Sequence, residues 1–144
     1  MKRTALSLIA LLALVAVASA QAAEGPAMTA TRELDLAALH MASTAQQQAK
    51  AGALSPQAAE TVEGFAALVR DFRFQLEADF ASSIQAQVAW AEVIDGFVAT
   101  RDLLSDNDSR ALRHELLRVH ALMNRLDRSF GGSGFWSGPR GWNG

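Results

Sequence analysis

The stretch SPQAAETVEGFAALVRDFRFQL, residues 55–76, decides the fold class of this chain. Ser55 followed by Pro56 predicts a helix start, because the serine oxygen can accept a free amide hydrogen and proline fits the first helical position. Large apolar residues then recur at alternating spacings of three and four, which places them on one side of a helix. They are Val62, Phe65, Val69, Phe72 and Leu76. This amphipathic helix is predicted to supply the main core surface.

Helical periodicity also marks the segments on either side, and no segment alternates as a half-buried strand does. The first helix is predicted to start at Thr31 as its cap, with Glu33 and Asp35 in the first turn, and to end at Gly52. Its predicted inner face consists of Leu34, Ala38, Met41 and Ala45. The third apolar row consists of Ile84, Val88, Trp90, Val93, Ile94, Phe97 and Leu104.

The fourth helix is predicted to start within the polar run 105–108 and to stop at Gly131-Gly132. Its apolar row consists of Leu112, Leu116, Val119, Met123, Leu126 and Phe130. Between the second and third rows the apolar pattern fails at Asp79 and Ser83, where Ser82 and Gln85 can form a capping box. This favours a hairpin, although one long helix over residues 56–104 would keep the same register. The sequence thus predicts an all-α fold, an antiparallel four-helix bundle.

The first twenty residues have the order of a cleavable export signal. Lys2 and Arg3 precede an apolar run that is too short to span a bilayer, and small residues follow at 18–20. Cleavage is predicted after Ala20 or after Ala22, which makes the protein periplasmic or secreted and leaves no transmembrane segment. The predicted organisation is a signal peptide at 1–20, a flexible lead-in at 21–30, the bundle at 31–130, and a disordered Gly- and Trp-rich tail at 131–144.

Composition narrows the possible functions. The chain contains no cysteine, so neither a disulfide nor a thioether-linked lipid can form. Removal of Lys2 and Arg3 leaves 11 of the 13 basic side chains against 15 acidic ones, a net charge of −4. An acidic balance argues against general nucleic-acid binding. No nucleophile with a base, carboxylate pair or phosphate-binding loop can be assembled from the sequence, so no enzymatic activity is predicted.

Two features are candidate contact surfaces. The fourth helix carries arginines opposite its apolar row, which we call the arginine face: Arg110, Arg113, Arg118, Arg125 and Arg128. This face could meet an anionic partner, or it could simply be a solvated face. Its arginines could also pair, inside the bundle, with the acidic residues of segments two and three. The tail carries Phe135, Trp136 and Trp142, and aromatic anchors on such a segment suit a groove, a membrane interface or a carbohydrate.

A cofactor hypothesis rests on Met41 and His120. Each lies about ten residues from an end of its helix, so antiparallel first and fourth helices would bring them to one level, where the pair could ligate haem iron. No two of the three histidines have the spacing of a metal pair on one helix. The leading interpretation, in which no cofactor is expected, is a non-catalytic exported binding module whose partner is an envelope protein, an anionic surface or a carbohydrate. The alternatives are a haem- or metal-binding bundle and a structural or stress-related envelope protein.

Overall fold

The computed structural model describes residues 25–78 and 83–129, and this part of the chain forms four α-helices. They are α1 (Pro26–Lys50), α2 (Pro56–Glu77), α3 (Ser83–Leu104) and α4 (Arg110–Ser129). Helix α1 packs closely against α2 and α4, and α2 packs against α3, whereas α3 and α4 approach each other at few points. The predicted all-α four-helix bundle is confirmed. The signal peptide and the tail lie outside the described residues.

Contacts between helices show that α1 runs antiparallel to both α2 and α4, and that α2 runs antiparallel to α3. In each pair, rising residue numbers on one helix meet falling numbers on the other. The contacts that fix these directions are Arg32–Glu77 and Gln46–Glu63, Glu33–Arg125 and Gln48–Ser109, and Phe65–Phe97 and Phe72–Trp90. Because α2 and α3 pack side by side, the single long helix over residues 56–104 is excluded and the hairpin is confirmed.

The core is built as the rows of α2 and α4 predict. Ser55 caps α2, since its side chain accepts a hydrogen bond from the amide of Ala58 at 3.1 Å. The α2 row is buried except at Leu76, which is partly buried. The α4 row is buried from Leu112 to Leu126, and Phe130 lies outside the described residues. The α2 and α3 rows meet through tilted ring pairs, at 5.9 Å for Phe65 and Phe97 and 5.4 Å for Phe72 and Trp90.

Helix α1 begins earlier than predicted, and the cap prediction at Thr31 is wrong. The first helical residue is Pro26, preceded by Gly25, so residues 26–30 of the predicted lead-in are helical. Thr31 is buried inside the helix and its hydroxyl donates to the carbonyl of Ala27 at 2.8 Å. Proline fits the first turn because it needs no amide donor there, and Gly25 offers no side chain that would mark the cap. The predicted inner face of α1 is fully buried.

Val88 was predicted in the α3 core row but is 57% exposed, because Ala86, Ala89 and Trp90 occupy the inward positions of that turn. Helix α4 begins just beyond the predicted run, where Ser109 accepts a hydrogen bond from the amide of Leu112 at 3.3 Å. Gly52 has a φ of +74°, which glycine tolerates, and it ends α1 as predicted.

Candidate arginine-rich binding face

The arginine face lies on the side of α4 that points away from the core. All five arginines are exposed, as are His114 and Leu117 between them. Arg110 and Arg128 are separated by five helical turns, about 27 Å along the axis, so the face runs the length of the helix. The high amphipathicity of α4 follows from its sequence, in which the apolar row and the arginines occupy opposite sides.

The arginines of this face are mostly without ion pairs. Arg125 lies 3.0 Å from Glu33 of α1, with both side chains about half exposed. Within the described residues, the other four have neither an ion pair nor a hydrogen bond from their side chains. The predicted alternative, in which the arginines pair with acidic residues of α2 and α3, is therefore not what the described part of the chain shows.

Neither of the two carboxylates of α4 is exposed on the arginine face. Glu115 has a side chain only 10% exposed, and its Oε1 lies 3.0 Å from Nδ1 of His40 and 3.8 Å from Nδ1 of His114. Its Oε2 has no hydrogen-bond partner among the described residues. Asp127, the other carboxylate, is partly buried. Both histidine rings thus lie beside the buried carboxylate in the middle of the helix, and the exposed charged side chains of α4 are all arginines.

This histidine and glutamate cluster was not predicted from the sequence. His40 and Glu115 lie on different helices, and only the register between α1 and α4 brings them together. On a single helix no pair of the three histidines has the spacing of a metal site, and spacing along the sequence does not reveal contacts between helices. Within residues 25–78 and 83–129, no group of three or more histidine, aspartate or glutamate side chains is placed to hold a metal ion.

Met41 and His120 occupy different surroundings. Met41 is fully buried in the core face of α1. The ring of His120 stacks on Phe97 of α3, with centroids 5.8 Å apart and planes 2° from parallel. The contacts of Glu33 with Arg125 and of His40 with Glu115 place residue 120 about one turn away from the level of Met41. The haem hypothesis stays a prediction, and this offset does not support it.

The surroundings of His120 give a prediction for acid stability. Burial lowers the pKa of His120 below the ordinary histidine value of about 6.5, and the positive charge of Arg101 on α3 lowers it further. The unfolded chain therefore binds a proton at this residue at a higher pH than the folded protein does. Stability from this residue is complete above about pH 6.5 and is lost as the pH falls below that value. Urea titrations at pH 7.5 and pH 5.5 give the free energy of unfolding at each pH. The drop between the two pH values should be smaller for His120→Gln than for the wild type, and an equal drop would contradict this.

A concave feature lies at the opposite end of the bundle from the C-terminus of α4. It is an open depression of about 650 Å³ between the loop after α1 and the loop after α3. Its lining includes Leu54, Leu103 and Asp106. Asp106 is its single ionisable side chain, so this depression offers no set of converging catalytic or ligand-binding groups.

Comparison with known proteins adds no family. No family model, no curated protein and no solved structure matches this chain. Among the helices in the described part of the chain, none has both the length and the apolar character needed to cross a membrane. The predicted contact residues of the tail, Phe135, Trp136 and Trp142, lie outside the described residues.

Proposed function

We propose that this protein is an exported, non-catalytic helical module that binds an anionic partner through the arginine face of α4. The observation that carries the proposal is that Arg110, Arg113, Arg118 and Arg128 are exposed and have no ion pair among the described residues, on a helix whose own carboxylates are buried or partly buried. An arginine already paired within its own protein must lose that partner before it binds another. These four arginines have no such cost, so their charge is available to an incoming anion.

The distribution of charge across the molecule strengthens this interpretation. The chain is acidic overall, with 15 acidic against 13 basic side chains before any cleavage. A protein with this balance is repelled by polyanions unless a local surface has the opposite sign. Positive charge is concentrated on α4, whereas α2 and α3 carry more acidic than basic residues. An anion is therefore attracted only to the side of the bundle that carries α4.

Two further parts of the proposal rest on the sequence alone. The basic start, short apolar run and small residues at 18–20 support export, and the mass of the product recovered outside the cytoplasm tests whether cleavage follows Ala20 or Ala22. Phe135, Trp136 and Trp142 support a second contact through the tail. Truncation after Phe130 should leave helicity unchanged and remove that contact from a pulldown with envelope extract.

Salt-dependent retention on a sulfated-polysaccharide column tests the proposed function. The purified protein should bind at low ionic strength despite its net negative charge, and salt should release it because the contact is electrostatic. The double variant Arg113→Gln, Arg118→Gln should elute at clearly lower salt. Both positions are exposed and neither side chain has an ion pair among the described residues, so the fold should not change.

Arg70→Glu on α2 is the matched control. It lowers the net charge by the same two units, and Arg70 is also exposed. If the arginine face is the binding surface, Arg70→Glu should elute close to the wild type. Equal shifts in the two variants would show that only net charge matters, and a lack of retention of the wild type would also contradict the proposal.

A further inference from the structure

We infer that the anionic partner of the arginine face is a membrane surface, bound through the phosphates of its lipids. This inference rests on the proposed function and names the class of partner. Three features of the described helices support it: the spacing of the arginines, the exposed leucines beside them, and the separation of charge across the bundle.

The arginines are spread out and do not converge. Arg110 and Arg128 lie on one line of the helix about 27 Å apart, with Arg113 and Arg118 on either side of that line. A site for a single anion brings several donors to one point, as in bidentate arginine clamps. The outer side of a single helix is convex, so it touches a plane more easily than a pocket. Lipid phosphates move laterally and can come to each arginine separately, so they need no fixed complementary shape.

Exposed leucines accompany the cationic side chains. Leu117 on α4 is 47% exposed and lies among the arginines, and Leu36 on α1 is 65% exposed. Leu36 lies within one turn of Glu33 and His40, which both contact α4, on the exposed outer side of α1. Large apolar side chains beside arginines are typical of helices that lie in a membrane interface, where the leucines enter the headgroup region.

The charge separation would also orient the bundle. Residues 36–50 of α1 contain no acidic side chain, so the neutral surface of α1 extends the arginine face. The acidic side chains of α2 and α3 include Glu60, Asp71, Glu92 and Asp95, all exposed. An anionic plane attracts the side formed by α4 and α1 and repels the side formed by α2 and α3, so the protein would dock in one orientation.

Co-sedimentation with vesicles tests this inference. Vesicles of phosphatidylcholine with about one-third phosphatidylglycerol are compared with vesicles of phosphatidylcholine alone. The purified protein should bind the anionic vesicles and not the neutral ones. Each arginine near an anionic surface contributes about 1 kcal/mol, so Arg113→Gln, Arg118→Gln should weaken partitioning by about 30-fold. Arg70→Glu should change it by less than about threefold, because Arg70 lies on α2.

Leu117→Ser separates a membrane from a soluble anionic partner. It should weaken vesicle binding about fivefold, because the leucine no longer enters the interface. It should leave retention on the sulfated-polysaccharide column unchanged. Column retention that depends on the arginines, without preference for anionic vesicles, would overturn the membrane inference while the proposed function stands. If the arginines affect neither assay, both fail.

Discussion

Phe97→Ala should lower the free energy of unfolding by about 3 to 5 kcal/mol, a large part of the stability of a domain of this size. The Phe97 side chain is buried on α3 and contacts Phe65 of α2 and His120 of α4 through its ring. Since α3 and α4 approach each other at few points, this ring fills the space that separates them. Removing it would leave a cavity where the two helices have few other contacts.

Phe74→Ala is the matched control for this prediction. Phe74 is half exposed on α2, and its ring faces the guanidinium of Arg73 at 4.6 Å. The same truncation at this position should cost less than about 1 kcal/mol. Chemical unfolding of both variants gives the comparison. Similar losses in the two variants would mean that Phe97 does not lie in the core.

Arg73→Met should lower the free energy of unfolding by about 3 kcal/mol. Arg73 lies 2.8 Å from Oδ2 of Asp35, whose side chain is only 2% exposed. The second oxygen of Asp35 has no hydrogen-bond partner among the described residues. Loss of the guanidinium would leave a buried carboxylate without its neighbouring positive charge, which is far less favourable than loss of an exposed pair.

The double variant Asp35→Leu, Arg73→Met tests the same interaction by removing both of its charges. With both charges gone, no buried charge remains unpaired, so much of the lost stability should return. Arg70→Met, one turn earlier on the exposed side of α2, should change stability by less than about 0.5 kcal/mol. Equal losses in Arg73→Met and Arg70→Met would contradict a buried ion pair, as would a double variant that is no more stable than Arg73→Met alone.

Local pattern predicted most of the fold. Ser55 and Pro56 located the start of α2, and the apolar rows of α2 and α4 gave the surfaces that are buried. These features could be predicted because each depends on residues within a few turns of one another. The start of α1 was placed too late because Thr31 has the side chain of a cap, although Pro26 already fits a first helical position.

Contacts between helices could not be predicted in the same way. Asp35 was expected in the first turn of α1, where a carboxylate suits the helix dipole, and instead forms a buried pair with Arg73 of α2. The contact of His40 with Glu115 depends on the register between α1 and α4, which differs by about a turn from the one assumed for Met41 and His120. The arginine face was predicted from α4 alone. That most of its arginines have no ion pair could be recognised only from the positions of all four described helices.

Site-specific fluorescence on anionic vesicles tests most directly whether the arginine face is the binding surface. The chain contains no cysteine, so one introduced cysteine can carry a polarity-sensitive fluorophore. Ala121 is exposed on the arginine face and Ala67 is exposed on α2. We expect the label at Ala121→Cys to shift to shorter wavelength when vesicles are added, while the label at Ala67→Cys does not change. A shift at Ala67→Cys without one at Ala121→Cys would show that a different side of the bundle makes the contact.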